Sequence, residues 1–287
     1  MFPLGRLRSL TLLVCFSLSA GFAQELPAPA LPDVEQLMRE VADHQKQVEQ
    51  LRENYTYTAL FTIEEINPKG GVNRSEINES SDFYVNGYLI SRSITEDSKP
   101  LNGEKREEED KRVAKLIKKC EKLPHNEPTF EALGIAVSRL LEIVDASNVR
   151  LNGSFHGRPA ILVDFVGRKN AKTRGPDEKM VKYLRGTIWI DEADREMAHL
   201  EVTFDEDFHV GWGMMGTIKK GSKLEVDQAP VTDGLWLPTS YDSTMQGKIL
   251  AAGHFHVHAS EKDYDFKRFD LETLHSKNPV ILPKTQP

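Results

Sequence analysis

The sequence predicts an α+β protein: one strongly curved antiparallel β-sheet, an open half-barrel of about nine to eleven strands, with helices packed on its concave face. Three observations carry this. Apolar residues alternate with polar ones over many short segments, giving each strand a single apolar face. The connections between those segments are short, so neighbouring strands run antiparallel. Helical apolar stripes are confined to the start of the chain and to one insert in its middle. A sheet this wide must curl, and its apolar face must then meet either the helices or a ligand.

From the N-terminus, Arg6 and Arg8 precede the apolar run Leu10 to Leu18, and Gly21-Phe22-Ala23 puts small residues where a signal peptidase cuts. The run falls short of the ~20 residues that cross a bilayer, so 1–23 reads as a signal peptide. Cys15 follows Leu12-Leu13-Val14, without the small residues of a lipoprotein cleavage site. The expected location is periplasmic or secreted, soluble after cleavage. Only Cys120 then remains, which excludes an intramolecular disulfide. The formal charge of −7 grows more negative when Arg6 and Arg8 are lost, which argues against a nucleic-acid partner.

Residues 24–32 form a Pro-rich leader. Asp33 with Gln36 three places on resembles a capping box, and Val34, Leu37, Val41, Val48 and Leu51 mark one face of the helix that follows, with His44 at the edge of the stripe. Tyr55 to Ile63 alternates Tyr, Tyr, Ala, Phe61 and Ile63 against threonines. Asn86-Gly87 between Phe83-Tyr84-Val85 and Tyr88-Leu89-Ile90 is a hairpin signal, because both turn positions need φ > 0. Over 104–120, Val113, Leu116, Ile117 and Cys120 stand at helical spacing, and Phe130, Leu133, Val137, Leu140, Leu141 and Val144 form a second, wider stripe. This helical insert, 104–146, interrupts the strands. After it come Val149 to Phe155, Ala160 to Val166, Thr187 to Asp191, Met197 to Phe204, Thr217 to Val226, Leu237 to Gln246 and Gly253 to Ser260. A single domain over 33–275 and a C-terminal tail over 276–287 complete the expected organisation.

Gly186-Thr187-Ile188-Trp189-Ile190-Asp191, then Ala193-Asp194 and the Leu200 to Val202 strand, resemble the half-barrel proteins of the LolA, LolB and RseB superfamily. Lys220-Gly221-Ser222, Asp233-Gly234-Leu235-Trp236-Leu237-Pro238 and the closing strand with Tyr264 to Phe269 fit the same pattern, which is specific over about 160–270. The resemblance implies an apolar cavity for acyl chains, in a family of outer-membrane lipoprotein-sorting carriers and periplasmic lipid-binding sensors. It brings no catalytic residues, and no arginine here matches the one that latches the helical lid in lipoprotein carriers.

The expected function is therefore an exported, non-catalytic binding protein that holds acyl chains of lipids or lipoproteins and carries them between membranes. Its expected cavity lining is Phe61, Ile63, Ile188, Ile190, Leu200, Val202, Phe204, Phe255 and Val257, with Leu140, Leu141 and Trp212 at the mouth and the Phe130 to Val144 helix as a lid. A second reading keeps the fold but fills the cavity with the protein's own side chains, leaving an interaction protein with an envelope partner. The third is a metal-dependent enzyme on His254, His256 and His258, alternate residues that share one strand face. Alternation also accounts for those histidines as the convex, solvated face, so no metal and no cofactor are expected. The acidic turn Asp191, Glu192, Asp194, Glu196 lacks a calcium-loop pattern and reads as solvated. The glycines around Trp212, Met214 and Met215 read as a flap or a bulged turn. Nucleophile elbows, zinc-protease helices, phosphate loops and dinucleotide fingerprints are all missing from the sequence. A monomer is expected.

Overall fold

A computed structural model describes residues 32–269, apart from 127–133, 211–214 and 233. The expected signal peptide, C-terminal tail, Trp212, Phe130 and Leu133 lie outside the described residues.

Helix α1, Val34–Arg52, starts where Asp33 accepts hydrogen bonds from the backbone N–H groups of Glu35 (2.9 Å) and Gln36 (3.0 Å). The Gln36 side chain turns to Glu40 instead of back to the cap. Strands β1 (Tyr55–Ile66), β2 (Val72–Val85) and β3 (Tyr88–Ser93) form a meander. Its β2–β3 turn has φ of 53° at Asn86 and 78° at Gly87, the geometry the Asn-Gly pair predicts. A two-residue pair, β4 (Thr95–Glu96) and β5 (Lys99–Pro100), leads into α2, Gly103–Cys120, and later α3, Val137–Glu142. Then follow β6 (Val144–Phe155), β7 (Arg158–Gly167), α4 (Pro176–Val181), β8 (Leu184–Asp191) and β9 (Met197–Phe204). Two short strands, β10 (Phe208–Val210) and β11 (Gly216–Ile218), precede β12 (Lys223–Thr232), β13 (Leu235–Ile249) and β14 (Gly253–Arg268).

Among the described residues the sheet has twelve strands, in the order β3-β2-β1-β14-β13-β12-β9-β8-β7-β6, with β10 and β11 attached beside β13. Each recorded pairing within it is antiparallel. The sheet is open, with β3 and β6 as its edges. Its strand count exceeds the expected nine to eleven because Lys219 to Ser222, with Gly221 at φ 86°, turns the expected strand Thr217 to Val226 into β11 and β12, and because the short strand β10 joins β11.

Register carries one row of side chains across the sheet: Phe61, Glu261, Tyr241, Val226, Leu200 and Ile188 are successive cross-strand partners on the same face. Two glycines on that face lie under aromatic partners. A Cβ on Gly186 would stand 2.1 Å from the Glu201 carbonyl and 2.6 Å from the Phe165 ring. On Gly247 it would stand 2.1 Å from the Thr217 carbonyl and 2.7 Å from the Phe255 ring. Phe165 and Phe255 are the cross-strand partners of these glycines. Strand-interior glycines covered by aromatics are places where a wide sheet bends without losing its packing.

Helices α1 and α3 cover this concave face over β6 to β9 and β12, where Val41, Leu140, Ile188, Ile190, Leu200 and Val226 pack in one core. Gln45, almost fully buried, exchanges paired 3.1 Å amide hydrogen bonds with Gln228 and fastens α1 to β12. Glu49 accepts from the Ser138 hydroxyl (2.6 Å) and N–H (3.0 Å), joining α1 to α3; burial raises its pKa against those bonds. Not every helix is concave, however. Helix α2 packs Val113 and Cys120 against Phe83, Val85 and Ile90. Those residues alternate with Asp82 and Tyr84, and Asp82 is the partner of Tyr57 on the concave side. The expected insert is therefore divided, with α2 on the convex face at the β3 edge and α3 on the concave face. The cause is the apolar convex side of the β2–β3 hairpin, which needs its own cover.

Candidate functional site

The helices leave part of the concave face uncovered. Away from α1, whose Val48 packs on Tyr55 of β1 and Leu237 of β13, a cavity of about 310 Å³ opens over β9, β12, β13, β14 and β1. Its floor is Val202, Phe204, Leu224 and Met245, and its far side is Phe61, Tyr241, Ser243, Ala259, Ser260 and Glu261. Ladder positions give it direction. Tyr241 and Glu261 are partners, as are Ser243 and Ala259, while Met245 lies two residues further along β13. One end is thus polar, at Tyr241 and Glu261, and the other apolar, at Met245 and Phe204. The volume sits at the low end of the ~300–1,000 Å³ typical of ligand sites, which suits one chain-like ligand better than several. A second cleft, about 400 Å³ between the start of α1 and the β6 edge, mixes Val34, Met38, Leu141 and Val144 with the charged Glu35, Arg39, Glu142, Asp145 and Arg168.

Of the lining expected from the sequence, Phe61, Val202 and Phe204 border the cavity. Ile188, Ile190 and Leu200 do not: they are fully buried beneath α1 and α3, because the helices occupy the space a ligand would have used. Leu140 and Leu141 are core residues of the same cluster rather than a mouth, and the expected Phe130 to Val144 lid is, where described, the six-residue helix α3 followed directly by β6. Phe255 lies over Gly247 and is spent on closing that backbone approach. Ile63 and Val257 are half-buried on the same face, outside the lining. Trp212 lies outside the described residues.

Leu224, Tyr241, Ser243, Met245, Ala259, Ser260 and Glu261 were missed by the sequence reading. The signal was present as alternation of Tyr241, Ser243 and Met245, and as Ala259 continuing Phe255 and Val257. Small and polar residues interrupt the apolar pattern there, and that interruption is what leaves the space open.

The histidine strand lies on the opposite face. His258 approaches Asp242 through Nε2 (2.8 Å) and Glu64 through Nδ1 (3.3 Å), and the Asp242 bond is the main reason its pKa is raised. No group of three or more His, Cys, Asp or Glu side chains suited to a metal occurs among the described residues. In the acidic turn, Asp191 is buried instead of solvated. It binds Arg158 (2.5 Å) and accepts from the N–H groups of Ala193 (3.0 Å) and Asp194 (2.9 Å), with its pKa lowered chiefly by the guanidinium.

A further convex cluster centres on His199, which the alternation assigned to a wet face. Its Nδ1 lies 2.6 Å from Asp227, its Nε2 3.5 Å from Glu201, and its ring stacks on Phe155 and meets Trp189 edge-on. The β6–β7 hairpin carrying Phe155 buries it. Burial pulls the imidazole pKa down, but the two carboxylates outweigh that and hold it above its ordinary value.

No family model matches the chain, and neither does any curated protein. Solved structures do. A DUF1329 family protein from Desulfovibrio piger is 13% identical, with 84% of this chain and 95% of that one covered at a TM-score of 0.36. A LolA superfamily protein from Nitrosomonas europaea is 9% identical, with 85% and 97% covered at a TM-score of 0.35. Among the described residues no helix is long and apolar enough to cross a membrane.

Proposed function

We propose that this chain is an exported, non-catalytic binding protein that holds one acyl chain of a lipid or lipoprotein in the concave cavity. The observation that carries the reading is the cavity left uncovered on the concave face, with an apolar floor of Val202, Phe204, Leu224 and Met245. An acyl chain laid on that floor would remove its own surface and the floor's from water, at ~25 cal/mol per Å². The head would lie at Tyr241 and Glu261, where a carboxylate favours a head that donates hydrogen bonds over a bare anion. Carriage between membranes is the role such a site serves.

A second reading has its own support. The packing of Ile188, Ile190 and Leu200 under α1 and α3 is what a protein that fills its cavity with its own side chains would have, and such a protein would act through an envelope partner. Native mass spectrometry of protein purified from its own envelope separates the two. The acyl-binding reading expects one co-purifying lipid per chain, released by a solvent step. An empty chain, or a chain recovered only with a protein partner, supports the second reading.

A further inference from the structure

The end of the molecule beyond the apolar side of the cavity has an unusual composition. Residues 208–224 and 243–260 contain no aspartate or glutamate, although the chain carries 44 acidic residues among 287. These stretches hold the β10–β11 hairpin and the β13–β14 hairpin, which are joined through β11 and β13. The Leu250 N–H donates to the Met215 carbonyl (3.2 Å), and Gly216 is the cross-strand partner of Ile249. Met215, Ile249 and Leu250, 66%, 49% and 73% exposed, therefore form one apolar tip held by backbone pairing. The tip follows Met245 and Gly247 along the same strand, so it extends the apolar end of the cavity.

Cationic side chains lie near it. Lys248 is exposed beside its cross-strand partner His254, and neither has an ion pair among the described residues. Lys219 and Lys220 stand at the base of the β10–β11 hairpin, paired to Asp207 (2.7 Å) and Asp205 (3.7 Å). An acidic chain has thus kept carboxylates off residues 208–224 and 243–260 while exposing large apolar side chains there. A protein partner with an acidic rim would match the lysines, but it would need a pocket shaped to these side chains, whereas a bilayer needs only that they be exposed. Exposed apolar side chains beside cations are what enters the headgroup boundary of a bilayer, where nearby lysine gains from anionic lipid.

We infer that the tip formed by Met215, Ile249 and Leu250, with Lys248 beside it, docks on an anionic lipid bilayer and brings the apolar end of the cavity to the membrane surface. The docking is independent of what occupies the cavity.

The test is co-sedimentation of the chain from Gln24 onward with vesicles of phosphatidylcholine alone and of equal phosphatidylcholine and phosphatidylglycerol. Compared are the unaltered chain, the double variant Ile249→Asp with Leu250→Asp, Lys248→Glu, and Val166→Asp as an exposed control on another strand. The apolar run Leu10 to Leu18 lies in the expected signal peptide and is left out of every chain, because it would itself bind both kinds of vesicle. Expected are binding to the anionic vesicles at least about tenfold tighter than to neutral ones, at least about tenfold loss in the double variant, a several-fold loss with Lys248→Glu, and no change with Val166→Asp. Equal binding to both vesicles, no binding to either, or a double variant that binds like the unaltered chain would overturn the inference. Binding of a fluorescent acyl probe, measured without vesicles, should be unchanged in the double variant. That measurement reports folding, and it lets the cavity reading stand or fall separately.

Discussion

At the residue scale, His199 shows how a polar position in an alternating strand becomes an internal one. Its sequence neighbours give no hint of burial, because the cover comes from Phe155, 44 residues earlier in the chain by number. Asp227 on β12, Glu201 on its own strand and His156, 3.9 Å from Asp227, are the titratable groups around it. A raised imidazole pKa in the folded state stabilises the protein below the unfolded value of about 6.5 and ceases to do so as pH rises through the folded value. Asp227, its pKa held down by His199 and Ser240 against the effect of burial, acts in the opposite sense in acid. The thermal midpoint of the protein should therefore fall as pH rises above about 6.5, and His199→Gln should flatten that slope. An unchanged slope in the variant would place the titrating group elsewhere, with His258 the next candidate because its pKa is raised in the same direction.

At the element scale, the strands with one wet and one dry face were legible, and their limits were not. Met197–Phe204 matches its sequence boundaries because alternation starts and stops with the pairing. The first ten residues of β2, Val72 to Ser81, are strand despite a mostly polar sequence, since backbone pairing with β1 and hydrogen bonds with the Ile94 to Ser98 segment hold it there. The helical stripe Val137, Leu140, Leu141 was read correctly as apolar, but a stripe looks the same over core as over a ligand. The structure assigns it to core, with Leu140 fully buried. Leu140→Ala should then cost about 2–5 kcal/mol, and Leu140→Asp more, because it buries an unpaired charge. Urea unfolding followed by circular dichroism checks this. A Leu140→Asp protein of near-normal stability would restore the lid.

At the scale of the whole molecule, curvature and coverage decide the function. Alternation told which side of each strand is apolar, and short turns gave the antiparallel order, so the open half-barrel was readable. The division of the insert between two faces was not, because nothing local in Val113 or Cys120 says which side of the sheet they meet. The cavity was only partly readable for a related reason. The strongest apolar positions, Ile188, Ile190 and Leu200, are those that the helices claim, whereas the open space is bordered by Ser243, Ala259 and Glu261, which carry weak apolar signals. An unfilled site is marked by residues too small or too polar to have filled it.

The central claim, that this uncovered space receives an acyl chain, is tested most directly by titrating a fluorescent long-chain acyl probe into the purified chain and into Ala259→Trp. Ala259 borders the cavity from a central strand, and an indole there would occupy much of about 310 Å³. The account predicts saturable binding of one probe per unaltered chain, at least about tenfold weaker in the variant, with a stability loss of no more than about 1–3 kcal/mol from the larger side chain. Equal binding by both chains would put the probe elsewhere, and no saturable binding by the unaltered chain would contradict the account.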